Sequence, residues 1–295
     1  MITASELHHY SSLVFQRTAR RVLHVLFPVQ CRTCDRPLAD DPVPFFCRTC
    51  WNSIQPLRGA ACPRCARPFA SPWALAYSPT HLCIECRMRK PAFTKAWAGY
   101  PYAPPLREAI GLLKYERKYG LADSLCRLLT AALPPALDVD LIMPVPLHPA
   151  RLREREFNQS LLLAQSIGRH LRIPVSYADL LRIRDNPAQT SLPRSSRLTN
   201  LRRAFHVRRP ENIRGRRVLL VDDVFTTGTT VNECAKALRK AGSGDVYVLT
   251  LARTVEAALL PDAMLPLPAR GFIQTKGSPL DAHLRIPLSR LRRTQ

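Results

Sequence analysis

The sequence predicts an α/β fold, a parallel sheet flanked by helices, preceded by a small metal-bound cysteine module. Three observations carry that expectation. Between residues 96 and 251, short apolar runs alternate with stretches of helical periodicity, the pattern of parallel strands joined by crossover helices. One apolar run ends in two adjacent aspartates followed by a Thr- and Gly-rich loop. Upstream, eight of the ten cysteines fall into Cys-x-x-Cys pairs.

Composition bounds the rest. With 295 residues and 46% hydrophobic content, the chain is long enough for one large or two modest domains with a real core. Its formal charge is +22, from 44 Lys and Arg against 22 Asp and Glu. Such a balance favours an anionic partner: nucleic acid, a phosphorylated small molecule or an acidic membrane surface. No apolar run reaches the ~20 residues of a transmembrane helix. Residues 1–28 read as an amphipathic N-terminal helix packed on the chain's own body, with a membrane-surface or partner-binding helix as the alternative. Arg17, Arg20 and Arg21 interrupt its apolar stretch, and no small-residue cleavage site follows, which argues against a secretory signal.

Residues 29–92 form the cysteine module. The pairs are Cys31/Cys34, Cys47/Cys50, Cys62/Cys65 and Cys83/Cys86. An internal repeat is visible: Cys-Arg-Thr-Cys-Asp-Arg-Pro-Leu-Ala from Cys31 matches Cys-Pro-Arg-Cys-Ala-Arg-Pro-Phe-Ala from Cys62, and each copy is followed by a second pair. A Cys-x-x-Cys turn presents two thiolates to one ion, so two turns close a tetrahedral zinc site and four turns make two. The repeat suggests sequential pairing, Cys31, Cys34, Cys47 and Cys50 on one ion and Cys62, Cys65, Cys83 and Cys86 on the other, with a cross-braced pairing as the alternative. All-cysteine sites with no open position point to structure rather than catalysis. Paired spacing of this kind also implies a reducing compartment, the cytoplasm. His81 reads as a surface histidine, and Cys126 and Cys234 as helix-core residues.

Residues 93–256 form the α/β domain. Strands are expected over residues 96–100, 140–143, 218–221 and 246–251, and helical patterns over 106–133 and 158–171. Val231, Cys234, Ala235 and Leu238 at i, i+3, i+4 and i+7 continue a helix that Gly242 and Gly244 end. Residues 257–295 are read as a basic C-terminal tail, of which 266–295 are polar, basic and Pro-containing and loosely ordered.

The segment from Val218 to Thr230 is the most informative. It reads Val-Leu-Leu-Val-Asp-Asp-Val-Phe-Thr-Thr-Gly-Thr-Thr: a buried strand, two carboxylates, a short loop and a helix start. In open α/β sheets ligands bind beyond the carboxyl ends of the strands. Thr226, Thr227, Gly228, Thr229 and Thr230 are suited to wrap a phosphate with amides and hydroxyls, with the positive end of the helix behind them. Asp222 and Asp223 are placed to accept hydrogen bonds from ribose hydroxyls, directly or through Mg²⁺-bound water.

This segment resembles the signature of type I phosphoribosyltransferases. The resemblance implies their parallel-sheet fold and a site for phosphoribosyl pyrophosphate (PRPP) with Mg²⁺. It places Asp222 and Asp223 on the ribose, and the loop after them on the 5-phosphate, with Val224 and Phe225 leading into it. The segment Met-Pro-Val-Pro-Leu-His-Pro-Ala-Arg ending at Arg151 falls where that family keeps its pyrophosphate loop. Pro146, Leu147 and Arg151 then line the site, with Arg153 and Arg155 as further cations. The segment 186–200, within an Arg-rich region, falls where the family has a flexible catalytic loop, with Gln189, Thr190, Arg194, Arg197 and Asn200 as its candidates. Double Cys-x-x-Cys ribbons, Leu-Phe-Pro before the first cysteine, Phe-Asn-Gln at 157–159, Gln189-Thr190 and Arg197-x-x-Asn200 together resemble the ComF family over residues 22–255. Glu156 departs from the Gly expected before Phe-Asn-Gln. The family is linked to DNA uptake in natural transformation. Two functions follow as expectations. One is a Mg²⁺-dependent phosphoribosyltransferase acting by pentosyl transfer. The other is a non-catalytic PRPP or nucleotide sensor, or an adaptor in single-stranded-DNA processing that uses the ribbons and basic surface to meet DNA or a DNA-processing protein. This fold often dimerises, so a homodimer is also an expectation.

Overall fold

The computed structural model describes residues 29–38, 40–76, 78–184 and 204–256. The expected N-terminal helix, the C-terminal tail, and Gln189, Thr190, Arg194, Arg197 and Asn200 lie outside the described residues.

Four strands form one parallel sheet in the order β1-β6-β5-β2: β1 (Lys95–Pro101), β2 (Leu141–Pro144), β5 (Val218–Phe225) and β6 (Val246–Arg253). A separate antiparallel ribbon pairs β3 (Leu180–Arg182) with β4 (Phe205–Val207), and the Arg-rich stretch is the connection between them. Strand alternation divides the core. Leu219, Val221, Leu249 and Leu251 face one cluster, while Val218, Leu220, Val246 and Val248 face the other. α3 (Leu106–Glu116), α4 (Ala122–Ala131) and α6 (Gln159–Leu171) cover the first face, and α7 (Thr229–Lys240) covers the second. The alternation slips at the strand ends. Val224 packs against the first cluster, and Phe225 belongs to the second.

The helical pattern over 106–133 is two helices. Arg117 takes a left-handed conformation at φ 54°, and Tyr119–Leu121 form a short 3-10 turn before α4. The polar run after Glu116 supplies no apolar residue to keep the buried stripe going, so the helix ends and restarts. β5 runs past the acids to Phe225, because Asp222 and Val224 pair with Thr250 and Ala252 of β6.

The cysteine repeat is also a repeat in three dimensions. The bridge Gln30–Pro37 recurs as Ala61–Pro68. Cys31 N–H donates to the Arg36 carbonyl at 2.9 Å, and Cys62 N–H to that of Arg67 at 2.8 Å. Each second pair opens a short helix, α1 (Arg48–Asn52) and α2 (Ile84–Met88), with Cys47 and Cys83 at the N-caps. The first unit packs with the α3, α4 and α6 face, and the second with the α7 face. Both units also bond to β1, the sheet's edge strand: Leu57 N–H donates to the Gly99 carbonyl at 2.9 Å, and Ala96 N–H to that of Arg64 at 2.8 Å. An exposed edge is a site of unwanted pairing, and the module covers this one.

Candidate functional site

β2 and β5 are neighbours with Pro144 opposite Val221, so the loops that follow them leave the same end of the sheet side by side. That single feature of register brings the segment carrying Pro146, Leu147 and Arg151 next to Asp222, Asp223 and the Thr loop. α5 (Pro149–Arg155) follows the first loop, capped by His148, whose Nδ1 accepts from Ala150 N–H at 3.3 Å. Asn158 ties the two parts together. Its Oδ1 accepts from Ser160 N–H at 3.0 Å and caps α6, while its Nδ2 donates to the Val145 carbonyl at 3.1 Å.

The acidic pair splits to two environments. Asp222 Oδ1 accepts from Ser160 Oγ at 2.8 Å and from Asp223 N–H at 2.9 Å. Asp223, 5% exposed, forms an ion pair with the Lys114 ammonium. Its Oδ2 meets that charge but has no aligned hydrogen-bond donor. Burial works against the Lys114 ammonium, and the Asp223 carboxylate outweighs it, so the lysine pKa stands above its ordinary value. Burial, and then the charge of Asp223, push Asp222 up to about 7, against the pull of Lys114 and of the Ser160 hydrogen bond.

Past Phe225 the chain turns through an exposed Thr226 and Thr227 into α7. Gly228 stands at φ 74° as its N-cap. A side chain there would also collide with Phe225, since a Cβ would lie 2.5 Å from the ring's Cζ. Thr227 and Thr229 hydroxyls bond each other at 2.9 Å. The first amides of α7 lack acceptors within the helix, and they face this loop.

Of the three arginines near the first loop, Arg151 is half-buried and Arg153 exposed. Arg155 is turned inward. It is 8% exposed, donates to Gln159 Oε1 at 3.4 Å and lies 5.1 Å from the Tyr115 ring centroid. Glu156 takes φ 67°, the left-handed conformation that explains why Gly is the expected residue there. Its carboxylate pairs with Arg117 at 3.0 Å. Lys114 and Ser160 were not among the sequence candidates. A lysine at the end of an amphipathic helix has the pattern of a solvated residue, and neither is near the aspartates in sequence.

In each cysteine group the four Sγ atoms lie within 4.8 Å of one another, in the sequential pairing. None of them is joined in a disulfide. Backbone amides point at them: Cys47 N–H to Cys31 Sγ and Cys83 N–H to Cys62 Sγ, both at 3.4 Å. Burial raises the Cys31 thiol, and the amides of Cys47, Thr33 and Cys34 outweigh it and bring it down to about 7. Hydrogen bonds from Cys65 and Cys86 draw Cys62 below the ordinary thiol range. Four converging soft ligands with amide donors behind them fit zinc, which they would hold as a closed structural ion. His81 is half-buried, its ring 5.6 Å from that of Phe69. Cys234 is fully buried and Cys126 partly so.

A family model described as the phosphoribosyl transferase domain matches residues 158–265, and one described as the double zinc ribbon domain matches residues 22–87. Fold and site therefore define a phosphoribosyltransferase-like domain joined to a double zinc ribbon. The DNA utilization protein YhgH of Escherichia coli K12 is 35% identical over 201 residues, covering 66% of this chain and 84% of that protein. Competence protein F of Haemophilus influenzae is 33% identical over 223 residues, 71% of this chain and 97% of that protein. The chain belongs to this ComF family of competence and DNA utilization proteins. Among solved structures, the adenine phosphoribosyltransferase of Thermoanaerobacter pseudethanolicus is similar at 15% identity and a TM-score of 0.30, over 47% of this chain and 83% of that one. Among the described residues, no helix is long and apolar enough to cross a membrane.

Proposed function

We propose that the domain binds PRPP at the carboxyl ends of β2 and β5. The supporting observation is the juxtaposition of the acidic pair with the Thr226–Thr230 loop at the start of α7. The loop and helix end hold the 5-phosphate, Asp222 takes the ribose hydroxyls, and Arg151 with the segment after β2 faces the pyrophosphate. Lys114 pairs with Asp223 inside the protein. The carboxylates present a hard donor set suited to Mg²⁺ through water, although one ammonium already stands on the pair. The arrangement suits pentosyl transfer, in which an acceptor bonds to the anomeric carbon as the bond to pyrophosphate breaks and the leaving group departs with its electrons. Cations on the leaving group and carboxylates by the ribose favour that charge distribution.

Calorimetric titration of the zinc-loaded protein with PRPP and Mg²⁺ tests the site. Saturable binding is expected, lost in the Asp222→Asn/Asp223→Asn double variant with the fold intact. Unchanged binding by the double variant overturns the site. Pyrophosphate release across a screen of bases, ammonia and nucleotides separates enzyme from sensor.

A second role, in handling single-stranded DNA during its uptake or use, is supported by the names of the relatives and by the second ribbon's surface. There Trp73 is 69% and Met88 75% exposed, and Arg87, Arg89 and Lys90 are exposed around Met88. An exposed aromatic and cations are what a single strand stacks on and tracks along. Salt-dependent binding of an oligonucleotide, weakened in Trp73→Ala, is expected. Binding absent at low salt removes this role.

A further inference from the structure

Arg253 ends β6 with only 4% of its surface exposed, and that burial draws its pKa down from the ordinary arginine value. Its guanidinium reaches the second cysteine group and the base of the Thr loop at once. Nη1 donates to the Cys65 carbonyl at 2.7 Å, and Nη2 lies 4.0 Å from Cys65 Sγ. On its flat face, Cζ lies 4.5 Å from the centroid of the Phe225 ring. Arg253 and Phe225 are partners in register across β6 and β5. Thr254 N–H locks the pair by donating to the Phe225 carbonyl at 3.0 Å.

Phe225 immediately precedes the loop and also lies beneath it. Its ring occupies the space a Gly228 side chain would need. Phe93 backs it edge-on at 6.2 Å. A contiguous stack therefore runs from Cys65 through Arg253 and Phe225 to Gly228. A buried guanidinium is costly unless charge and hydrogen bonds compensate it. Four thiolates around one divalent zinc carry a net negative charge, so a filled second site supplies what Arg253 needs. Lysine could supply the charge but neither the planar face for the ring nor the fork for the carbonyl.

We propose that Arg253 is a positioning residue that carries the metal-held shape of the second cysteine site to the loop at Thr226–Thr230, so that this site sets the order of the loop and its affinity for a phosphate. The affinity part rests on the PRPP reading above, and the ordering part does not. Hydrogen exchange in the full-length, zinc-loaded chain reads the order. The amide to follow is that of Asn232, which donates to the Gly228 carbonyl at 2.9 Å, together with the peptide spanning the loop.

In Arg253→Met, with both zinc ions retained by metal assay, exchange there is expected to be at least about tenfold faster than in the parent, as local stability is lost. Exchange in β2 should not change. Arg253→Lys should remain fast. Restoration by lysine would reduce Arg253 to a counter-charge and overturn the positioning role. Exchange within about twofold of the parent in zinc-retaining Arg253→Met also overturns it. If Arg253→Met loses zinc, Phe225→Leu removes the stack without touching Cys65, and the same tenfold acceleration is required of it. PRPP titration of the same proteins reads the second part: a Kd raised about tenfold in Arg253→Met is expected. If the parent itself binds no PRPP, the site reading fails, while exchange alone still decides the positioning role.

Discussion

Burial and the neighbouring Asp223 charge hold Asp222 up to about 7, which sets stability against binding at one residue. An unfolded aspartate titrates near ~4. Between that value and about 7 the folded chain keeps a proton that the unfolded chain has released, so stability falls as pH rises through this window and stays low above it. Asp222→Asn removes the penalty. Its melting temperature should exceed that of the parent by several degrees at pH about 8 and by a clearly smaller margin near pH 5, by calorimetry at both. PRPP affinity of the parent should rise with pH up to about 7, as the acceptor carboxylate forms, and the variant should bind poorly throughout. Glu156 offers the opposite case. Its left-handed backbone, φ 67°, costs roughly 1 kcal/mol. The exposed ion pair with Arg117 returns about 0.5 kcal/mol. Glu156→Gly should therefore stabilise the protein by about 0.5 kcal/mol in urea unfolding, and a loss would show that the ion pair outweighs the strain.

At the scale of the element, α3 shows where a sequence stops being informative. Leu106, Ala109, Ile110 and Leu113 make its buried stripe, and their spacing announces the helix. Lys114 is one position further on and has no local mark of being the cation beside Asp223. The Asp-Asp and Thr-Thr-Gly-Thr-Thr stretch was legible because strand end, loop and helix start are contiguous, so chemistry and geometry share one segment. The cysteine pairing was legible because the repeat gives two like units. Ser160 and Lys114 reach the site through packing of separate helices, which no spacing encodes. The ion pair also makes a test. Lys114→Met leaves a buried carboxylate uncompensated and should destabilise by ~3 kcal/mol at pH 8. Adding Asp223→Asn should restore most of that loss. Additive losses in this double-mutant cycle would mean that the two side chains do not interact.

Over the whole molecule, the sheet divides the core, and each cysteine unit extends one half of it. Cys31, Phe46 and Cys47 belong to the cluster with α3 and α4, and Cys62, Cys65 and Cys83 to the cluster with α7. This division could not be read from the sequence, where the module looks like an independent bead before the domain. It follows from the sheet's edge. β1 needs partners along its outer edge; Leu57 N–H donates to it and the Arg64 carbonyl accepts from it. Units this small have little apolar core of their own, so binding of zinc, on the order of 10 kcal/mol per site in finger peptides, is folding energy for them. Removing zinc should then do more than melt the module. It should strip both core faces of part of their cover and open the β1 edge to pairing between chains. Chelation is expected to lower the melting temperature of the entire described body in one shifted transition, with light scattering rising as the edge is exposed. Restoring zinc before aggregation should return the original transition. A melt in which the sheet unfolds at its original temperature while the module alone is lost would show that the ribbons merely ride on the domain.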